Sequence, residues 1–218
     1  RDVAPSRGLG DVYKRQEQFT SQLFQEEMTG STLNMHYTIA DPKTFGISEY
    51  EPVLPIYHSD QPEDSKEHCS DLLHRLDRID PDRLSPENAY TYRLLHRSLE
   101  NDLALADFPY YNEPLSPSSG MQSQLPVLLA EYTFRTKRDV TDYLALLDQI
   151  DDYFASLLLY EQEKAAAGFF MPACSSEKVR KQCDTIVTTE ELAQGTHFLQ
   201  TTFEDRLSEL QKQGLFTP

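Results

Sequence analysis

The sequence predicts an all-α protein, a multi-helix bundle-like assembly, on two observations. Apolar residues recur at three- and four-residue spacings through most of the 218 residues, which is the period of one face of an α-helix. The segments between these stretches are rich in serine, aspartate, proline and glycine, the residues that start and stop helices. No internal repeat is visible. We therefore expect helix pairs packed around an apolar core.

Three helices are predicted in the first half of the chain. Their approximate ranges are 17–28, 63–79 and 86–107. The third begins at Ser85-Pro86, because serine can accept a hydrogen bond from an orphan backbone N–H and proline suits the first turn. Residues 34–59 hold three prolines and are predicted to be irregular, with a short strand as the open alternative.

The second half begins with a loop over 108–120 that also holds three prolines. The helices predicted after it are 125–134, 138–167, one capped by Ser175 or Ser176 and ending near 187, and 198–213. The Asp151-Asp152 pair is expected to divide the longest of them, since aspartate favours a helix cap. Gly168 and Gly214 are natural C-terminal stops.

Residues 1–16 are expected to be a non-native leader. The string SRGLGDVYKRQ, residues 6–16, matches the in-frame translation of a common sequencing adapter, and a natural basic linker is the alternative. Such a segment is excluded from fold reasoning. Residues 17–218 are then expected to be the N-terminal helical portion of a larger single fold, truncated at its C-terminus.

The charge balance limits the partners. The chain has 36 acidic and 20 basic residues, a formal net charge of −16, so it repels phosphate backbones and nucleic acid is not expected as a partner. The acidic surface either attracts cationic peptides or is only solvated. No apolar run reaches the roughly 18 residues of a membrane helix, which predicts a soluble chain. The native N-terminus is expected to be missing, so a signal peptide and the compartment stay unassigned.

No metal site is predicted in the chain. None of the six histidines belongs to a His-Glu-x-x-His motif. His68 and His74 are six residues apart, a poor spacing for one ion. His96 and Glu100 are four apart and can touch, but this is the geometry of an ordinary exposed pair. The cysteines have no paired spacing and are predicted to be small buried hydrophobic residues, at Cys69, Cys174 and Cys183.

No catalytic residue is predicted either. The chain lacks a Gly-x-Ser-x-Gly elbow and a phosphate-binding glycine loop. Cys174 lies near a helix start, where a thiolate could be stabilised, but it has no identifiable histidine partner and is expected to be structural. The abundant carboxylates are expected to form solvated helix faces.

The predicted loop over 108–120 and the residues that follow it contain the candidate binding residues. Tyr110, Tyr111, Gln122 and Gln124 could line a substrate cleft, because loops carry binding residues often and amides can grip a peptide backbone. The alternative is a loop that packs its tyrosines against helices.

Four motifs carry a family resemblance. They are HYTIADPKTFGI from His36, YYNEPLSPSSGMQSQLPVLLAEYTF from Tyr110, RDVTDYLALL from Arg138 and YEQEKAAAGFFMP from Tyr160. With them, 17–218 resembles the N-terminal portion of the bacterial domain-of-unknown-function family 885, in the branch found in gut Clostridia.

The resemblance implies a helical, zincin-like fold similar to that of gluzincin metallopeptidases. The family's zinc motif lies in a C-terminal half that is absent here, so the resemblance places no zinc ligand or catalytic base on this sequence. Zinc is expected as the cofactor of the full-length parent and none in this fragment. The implied partners are a peptide substrate, through the parent, and the missing half of the same protein.

Two functions follow as hypotheses. The first is an N-terminal fragment of a zinc-dependent metallopeptidase, inactive alone. The second is a non-catalytic helical binding or scaffold domain.

Overall fold

The computed structural model describes residues 4–57 and 62–216, with side chains for 10, 12–57 and 64–216. This part of the chain forms ten α-helices, two short 3₁₀ helices and no strand. The first four helices are α1 (Ala4–Thr29), α2 (Thr32–Thr38), α3 (Pro62–Leu76) and α4 (Pro86–Leu105). The others are α5 (Met121–Glu131), α6 (Lys137–Asp148), α7 (Ile150–Ala166), α8 (Ala173–Ile186), α9 (Thr189–Gln194) and α10 (Phe198–Lys212). The predicted all-α class is confirmed.

The helices divide between two compact units. The first contains α1, α3, α4 and residues 41–48, and the second contains α2, residues 49–57 and α5 to α10. The second unit is therefore discontinuous in sequence, because α2 and the segment 49–57 precede most of the first unit along the chain.

The core of the first unit lies among α1, α3 and α4. Leu76 is fully buried and packs with Val12, Phe19, Leu72, Ile79 and Leu99. Gln16 is also buried, and its side-chain amide donates a hydrogen bond to the carbonyl of Asn88 at 2.8 Å. Helix α1 thus begins well before the predicted residue 17 and is continuous through it.

The core of the second unit is aromatic at its centre. Tyr132, Phe134, Tyr143 and Phe203 form ring contacts with centroids between 5.4 and 6.2 Å apart. Aromatic pairs at these separations stabilise a core beyond the apolar area that they bury. Leucines from α5, α6, α7 and α10 complete the cluster, at Leu125, Leu129, Leu146, Leu157 and Leu210.

Two short helices differ from the prediction. Helix α2 overlaps the start of the segment 34–59 that was predicted to be irregular, and α9 was not predicted at all. Their N-caps are Ser31 and Thr188, whose hydroxyls accept from backbone N–H groups in the first turn. Seven and six residues give too few turns for a periodic signal. Helix α8 begins at Ala173 with Pro172 as its N-cap, not at Ser175.

The long predicted helix over 138–167 is indeed divided, but at Gln149 and not at Asp151-Asp152. The Gln149 side chain accepts from the N–H of Leu54 at 2.9 Å and donates to the carbonyl of Pro52 at 2.9 Å. The two aspartates lie in the first turn of α7, where negative charge favours the helix dipole. The residue at the break is therefore bonded to a segment that is distant in sequence.

The cysteines correct one prediction. All three are unpaired as expected, but Cys174 and Cys183 are exposed and only Cys69 is half-buried, so they are not core residues. Among the helices of the described residues, none combines the length and the apolar character that crossing a bilayer requires.

Candidate functional site

Buried polar side chains of α7 hold the start of the loop over 112–120. The ammonium group of Lys164 is 1% exposed, donates to the carbonyl of Asn112 at 2.8 Å and pairs with Glu113 Oε1 at 2.7 Å. The hydroxyl of Tyr160 donates to the same carbonyl at 3.2 Å. A buried ammonium group requires such partners, so Lys164 anchors the loop on α7.

Two glutamines hold the end of this loop. The side-chain amide of Gln122 donates to the carbonyl of Ser116 at 2.6 Å and to Gln182 Oε1 on α8 at 2.8 Å. The amide of Gln182 donates to the carbonyl of Pro117 at 2.9 Å. A Cβ on Gly120 would overlap the backbone of Ser116 and the side chain of Gln122, so this closure requires glycine.

The four residues predicted to line a cleft have different surroundings. Gln122 is 2% exposed and bonds the loop, whereas Gln124 is exposed on α5. Tyr111 is 76% exposed and Tyr110 is half-buried; both belong to the first unit, and the glutamines belong to the second. A role of these four residues in substrate binding stays a prediction.

The second unit contains an apolar cleft of about 500 Å³. Its walls come from α2, the segment 49–57, α5 and α7, and its lining includes Leu33, Tyr37, Leu54, Tyr57, Leu128 and Tyr153. This volume lies in the range of small-molecule and side-chain binding pockets. The hydroxyl of Tyr37 donates to the carbonyl of Leu128 at 2.6 Å, which fixes one wall to the other.

One backbone segment in the cleft retains hydrogen-bonding capacity. The N–H of Leu54 donates to the side-chain oxygen of Gln149, and the N–H of Tyr57 donates to the hydroxyl of Ser156. Ile56, between them, is 46% exposed and lines the cleft. Its N–H and C=O have no hydrogen-bond partner in the described part of the chain. An apolar cleft with an available main-chain donor and acceptor is suited to binding another main chain.

A buried histidine fixes α2 to the connection between α5 and α6. His36 is 6% exposed, its Nε2 accepts from the N–H of Thr133 at 3.2 Å, and its ring stacks on Tyr132 at 3.6 Å. The proton of neutral His36 is then on Nδ1, which faces Asp139 Oδ1 at 3.6 Å. With both nitrogens engaged, His36 serves as an anchor and not as an available base.

An acidic residue, Asp142, joins α6 to residue 50. Asp142 is 1% exposed and accepts from Arg138 Nε and from the Tyr50 hydroxyl, both at 2.6 Å. The guanidinium group of Arg138 lies 4.3 Å from the centre of the Tyr50 ring. Burial, and then the hydrogen bond to Asp142, raise the pKa of Tyr50, so its hydroxyl stays protonated and donates.

Sequence reasoning did not identify this cluster. The four-residue spacing of Arg138 and Asp142 on one helix face is a readable signal for an ion pair. Tyr50 has no such signal, because 92 positions separate it from Asp142.

The described residues do not form a zinc site. No three His, Cys, Asp or Glu side chains among them are placed to hold one metal ion. His96 contacts two carboxylates, with Nε2 3.2 Å from Asp77 and Nδ1 3.6 Å from Glu100. Because these contacts use opposite ring nitrogens, the three groups cannot share one ion. His58 lies outside the described residues.

The fold and the site thus define an all-α protein whose second unit has an apolar, tyrosine-lined cleft. The family model described as "Bacterial protein of unknown function (DUF885)" matches residues 43–215. The chain therefore belongs to the DUF885 family of bacterial proteins. No curated protein and no solved structure matches the chain.

Proposed function

We propose that the chain is the non-catalytic, peptide-binding helical portion of a zinc-dependent metallopeptidase. The observation that carries this proposal is the apolar cleft of the second unit, with the main chain of Ile56 available at its wall. The resemblance to zincin-like metallopeptidases supplies the substrate class, a peptide. The family model that matches the chain is the family that the sequence motifs resemble, DUF885.

The residues of this chain support binding and not hydrolysis. The buried His36 and Asp142 are committed to structural hydrogen bonds, and the described residues contain no set of zinc ligands. Under the proposal, the zinc ligands and the catalytic base belong to sequence outside these 218 residues. The part that this chain contributes is to position a peptide and to exclude water around its apolar side chains.

The purified 218-residue chain tests this proposal in two assays. It should bind labelled peptides in fluorescence anisotropy. It should cleave no member of a quenched-fluorescent peptide library, with or without added zinc chloride, and calorimetry should detect no stoichiometric zinc binding. Peptide hydrolysis by the chain would refute the non-catalytic role, and a lack of binding to any peptide would refute the binding role.

A second candidate function is a helical scaffold domain that binds another protein. Exposed apolar side chains on and just after α7 favour it, with exposed fractions of 60% at Leu158, 56% at Leu159, 58% at Phe169 and 57% at Phe170. Exposed apolar surface of this kind marks interaction sites. Charged substitutions at Leu158 and Leu159 should abolish capture of a partner protein under the scaffold hypothesis. Under the peptidase hypothesis they should leave peptide binding in the cleft unchanged.

A further inference from the structure

One residue in the wall of the cleft has both a main-chain donor and a main-chain acceptor without a partner in the described residues. The hydroxyl of Ser31 caps α2 by accepting from Asn34, and the Tyr37 hydroxyl donates to Leu128. Tyr153 is 2% exposed and its hydroxyl lies 3.4 Å from that of Tyr57. The main chain of Ile56 alone combines a donor and an acceptor that are without partners in the described residues.

The backbone on each side of Ile56 is constrained by Pro55 and by two hydrogen bonds. A residue before proline is biased toward the β or polyproline II region, so Pro55 favours an extended Leu54. Leu54 and Tyr57 are fixed on each side of Ile56 by their bonds to Gln149 and Ser156. The donor and acceptor of Ile56 are therefore held in place before any ligand arrives, which reduces the entropy that binding would cost.

The apolar lining sets the side chain that this cleft accepts. A volume of about 500 Å³ accommodates one large aromatic or aliphatic side chain together with the main chain beside it. Tyr57 is a half-buried ring that lines the cleft, and it packs on the buried rings of Tyr153 and Tyr160 at 5.7 and 5.8 Å between centroids. An aromatic side chain of a ligand prefers edge or offset contact with such a ring.

The net charge of the chain favours encounter with basic peptides over acidic ones. A formal net charge of −16 repels acidic segments and attracts basic ones at a distance. Electrostatic complementarity of this kind raises the rate of encounter more than it adds to the contacts themselves.

From these features we infer that the cleft binds an extended, neutral or basic peptide segment, whose main chain pairs with the N–H and C=O of Ile56 and whose large apolar side chain enters the lining. This inference rests on the proposed peptide-binding function and specifies its ligand. It assigns the specificity for the peptide to a pocket that accepts one apolar side chain and to the main-chain hydrogen bonds of one residue, Ile56.

A matched pair of protein variants tests the main-chain pairing. Ile56→Pro removes the N–H and retains an apolar residue, whereas Ile56→Val retains both. The probe is a fluorescein-labelled pentapeptide with phenylalanine at its centre and lysine on each side of it. We expect Ile56→Pro to weaken binding about 10-fold, the loss of one well-made hydrogen bond, and Ile56→Val to change it less than about 2-fold. Thermal melts of both variants verify that each remains folded.

Changes in the peptide test the same pairing without altering the protein. Methylation of the central phenylalanine nitrogen removes the donor to the Ile56 carbonyl and should weaken binding about 10-fold. Replacement of this phenylalanine by alanine should weaken it by more than about 10-fold, through lost apolar burial. Exchange of both lysines for glutamate should weaken binding at low salt and have less effect at high salt.

The outcomes separate this inference from the proposed function. Equal affinity for the phenylalanine, alanine and N-methylated peptides would overturn the inference, and so would wild-type affinity of Ile56→Pro, while peptide binding itself would stand. A wild-type chain that binds none of the peptides would overturn the proposed function as well.

Discussion

Glu161, on α7, is a carboxylate that the fold buries without a hydrogen-bond partner in the described residues. It is 6% exposed, and neither carboxylate oxygen is bonded. Burial raises its pKa above the ordinary value of 4.5, and the nearby Lys164 opposes that rise. Lys164 is itself paired with Glu113, so it compensates Glu161 only in part.

The substitution Glu161→Gln should make the stability of the protein less dependent on pH. Below the ordinary pKa of 4.5 the carboxyl group is protonated in both the folded and the unfolded chain, so its ionisation costs nothing there. As the pH rises, the unfolded chain ionises first, so stability is lost until the pH passes the raised folded pKa. Glu161→Gln removes this loss, so its stability relative to wild type should be higher at pH 7 than at pH 4.

Urea unfolding of wild type and variant at pH 4 and pH 7 measures this difference. Glu177→Gln, an exposed glutamate on α8, is the matched control and should change stability by less than about 0.5 kcal/mol at either pH. A stability difference between Glu161→Gln and wild type that is the same at pH 4 and pH 7 would contradict a cost of ionising Glu161, because the burial of the glutamine amide does not depend on pH.

The N-terminus of α6 joins a local capping motif to a distant contact. Asp139 accepts from the N–H of Arg135 at 2.9 Å and of Thr136 at 2.7 Å, while the Thr136 hydroxyl accepts from the N–H of Asp139. The same carboxylate faces His36. Burial opposes ionisation of Asp139, but the contacts from His36, Thr136 and Arg135 outweigh it and lower its pKa. One side chain thus fixes both the start of α6 and the position of α2.

The substitution Asp139→Asn should destabilise the second unit by about 1.5–3 kcal/mol at pH 7, because hydrogen bonds to a charged acceptor are lost. The pKa of Asp139 is lowered in the folded chain, so its contribution is complete above the ordinary pKa and disappears as the pH falls through the lowered one. The stability difference between variant and wild type should therefore shrink below about pH 4.

Asp151→Asn is the control, since Asp151 is an exposed aspartate in the first turn of α7. It should cost less than about 1 kcal/mol, the usual contribution of a charge near a helix N-terminus. A cost for Asp139→Asn that is equal to the control, or one that does not depend on pH, would contradict the role assigned to this carboxylate.

At the scale of the whole molecule, the two units have separate cores. Leu76 is fully buried in the first, which α1, α3 and α4 form, and Leu146 is fully buried in the second. Each core contains residues from distant parts of the sequence, so the stability of each unit depends on long-range packing.

Truncation of Leu76 should expose the dependence of α1 on the first core. Leu76→Ala removes a fully buried side chain and should cost about 2–5 kcal/mol. Native-state hydrogen exchange should show lower protection in α1, α3 and α4. Leu94→Ala, at a position that is 53% exposed on α4, is the control and should change protection little. Retained protection of α1 in Leu76→Ala would show that α1 does not depend on this core.

Local signals made most of the elements predictable. Ser85 caps α4 as expected, since its hydroxyl accepts from the N–H of Asn88, a rule that acts within one turn. The recurrence of apolar residues at three- and four-residue spacings also predicted α6 and α7, because this signal acts within a few turns of helix. By contrast, the short α2 and α9 gave no period, and the break at Gln149 depends on its bonds to Pro52 and Leu54.

The candidate site was much less predictable. A loop over 108–120 was predicted, but Gln122, proposed to contact substrate, is buried and bonds Ser116 of that loop and Gln182 of α8. The cleft was not predicted, because its walls come from α2, the segment 49–57, α5 and α7, which are far apart in sequence. Nothing in the sequence around Ile56 indicates that its N–H and C=O lack partners in the described part of the chain.

The sequence by itself determined the all-α class, the positions of the longer helices, the acidic charge and the family resemblance, because each of these depends on composition, on spacing within a few turns or on contiguous motifs. Only the tertiary structure decided which polar groups are satisfied. It gave Lys164, Gln122 and Gln149 partners distant in sequence and left Glu161 and the main chain of Ile56 without any in the described residues. The physical reason is that the satisfaction of a buried polar group depends on what packs against it, and packing is a property of the whole fold.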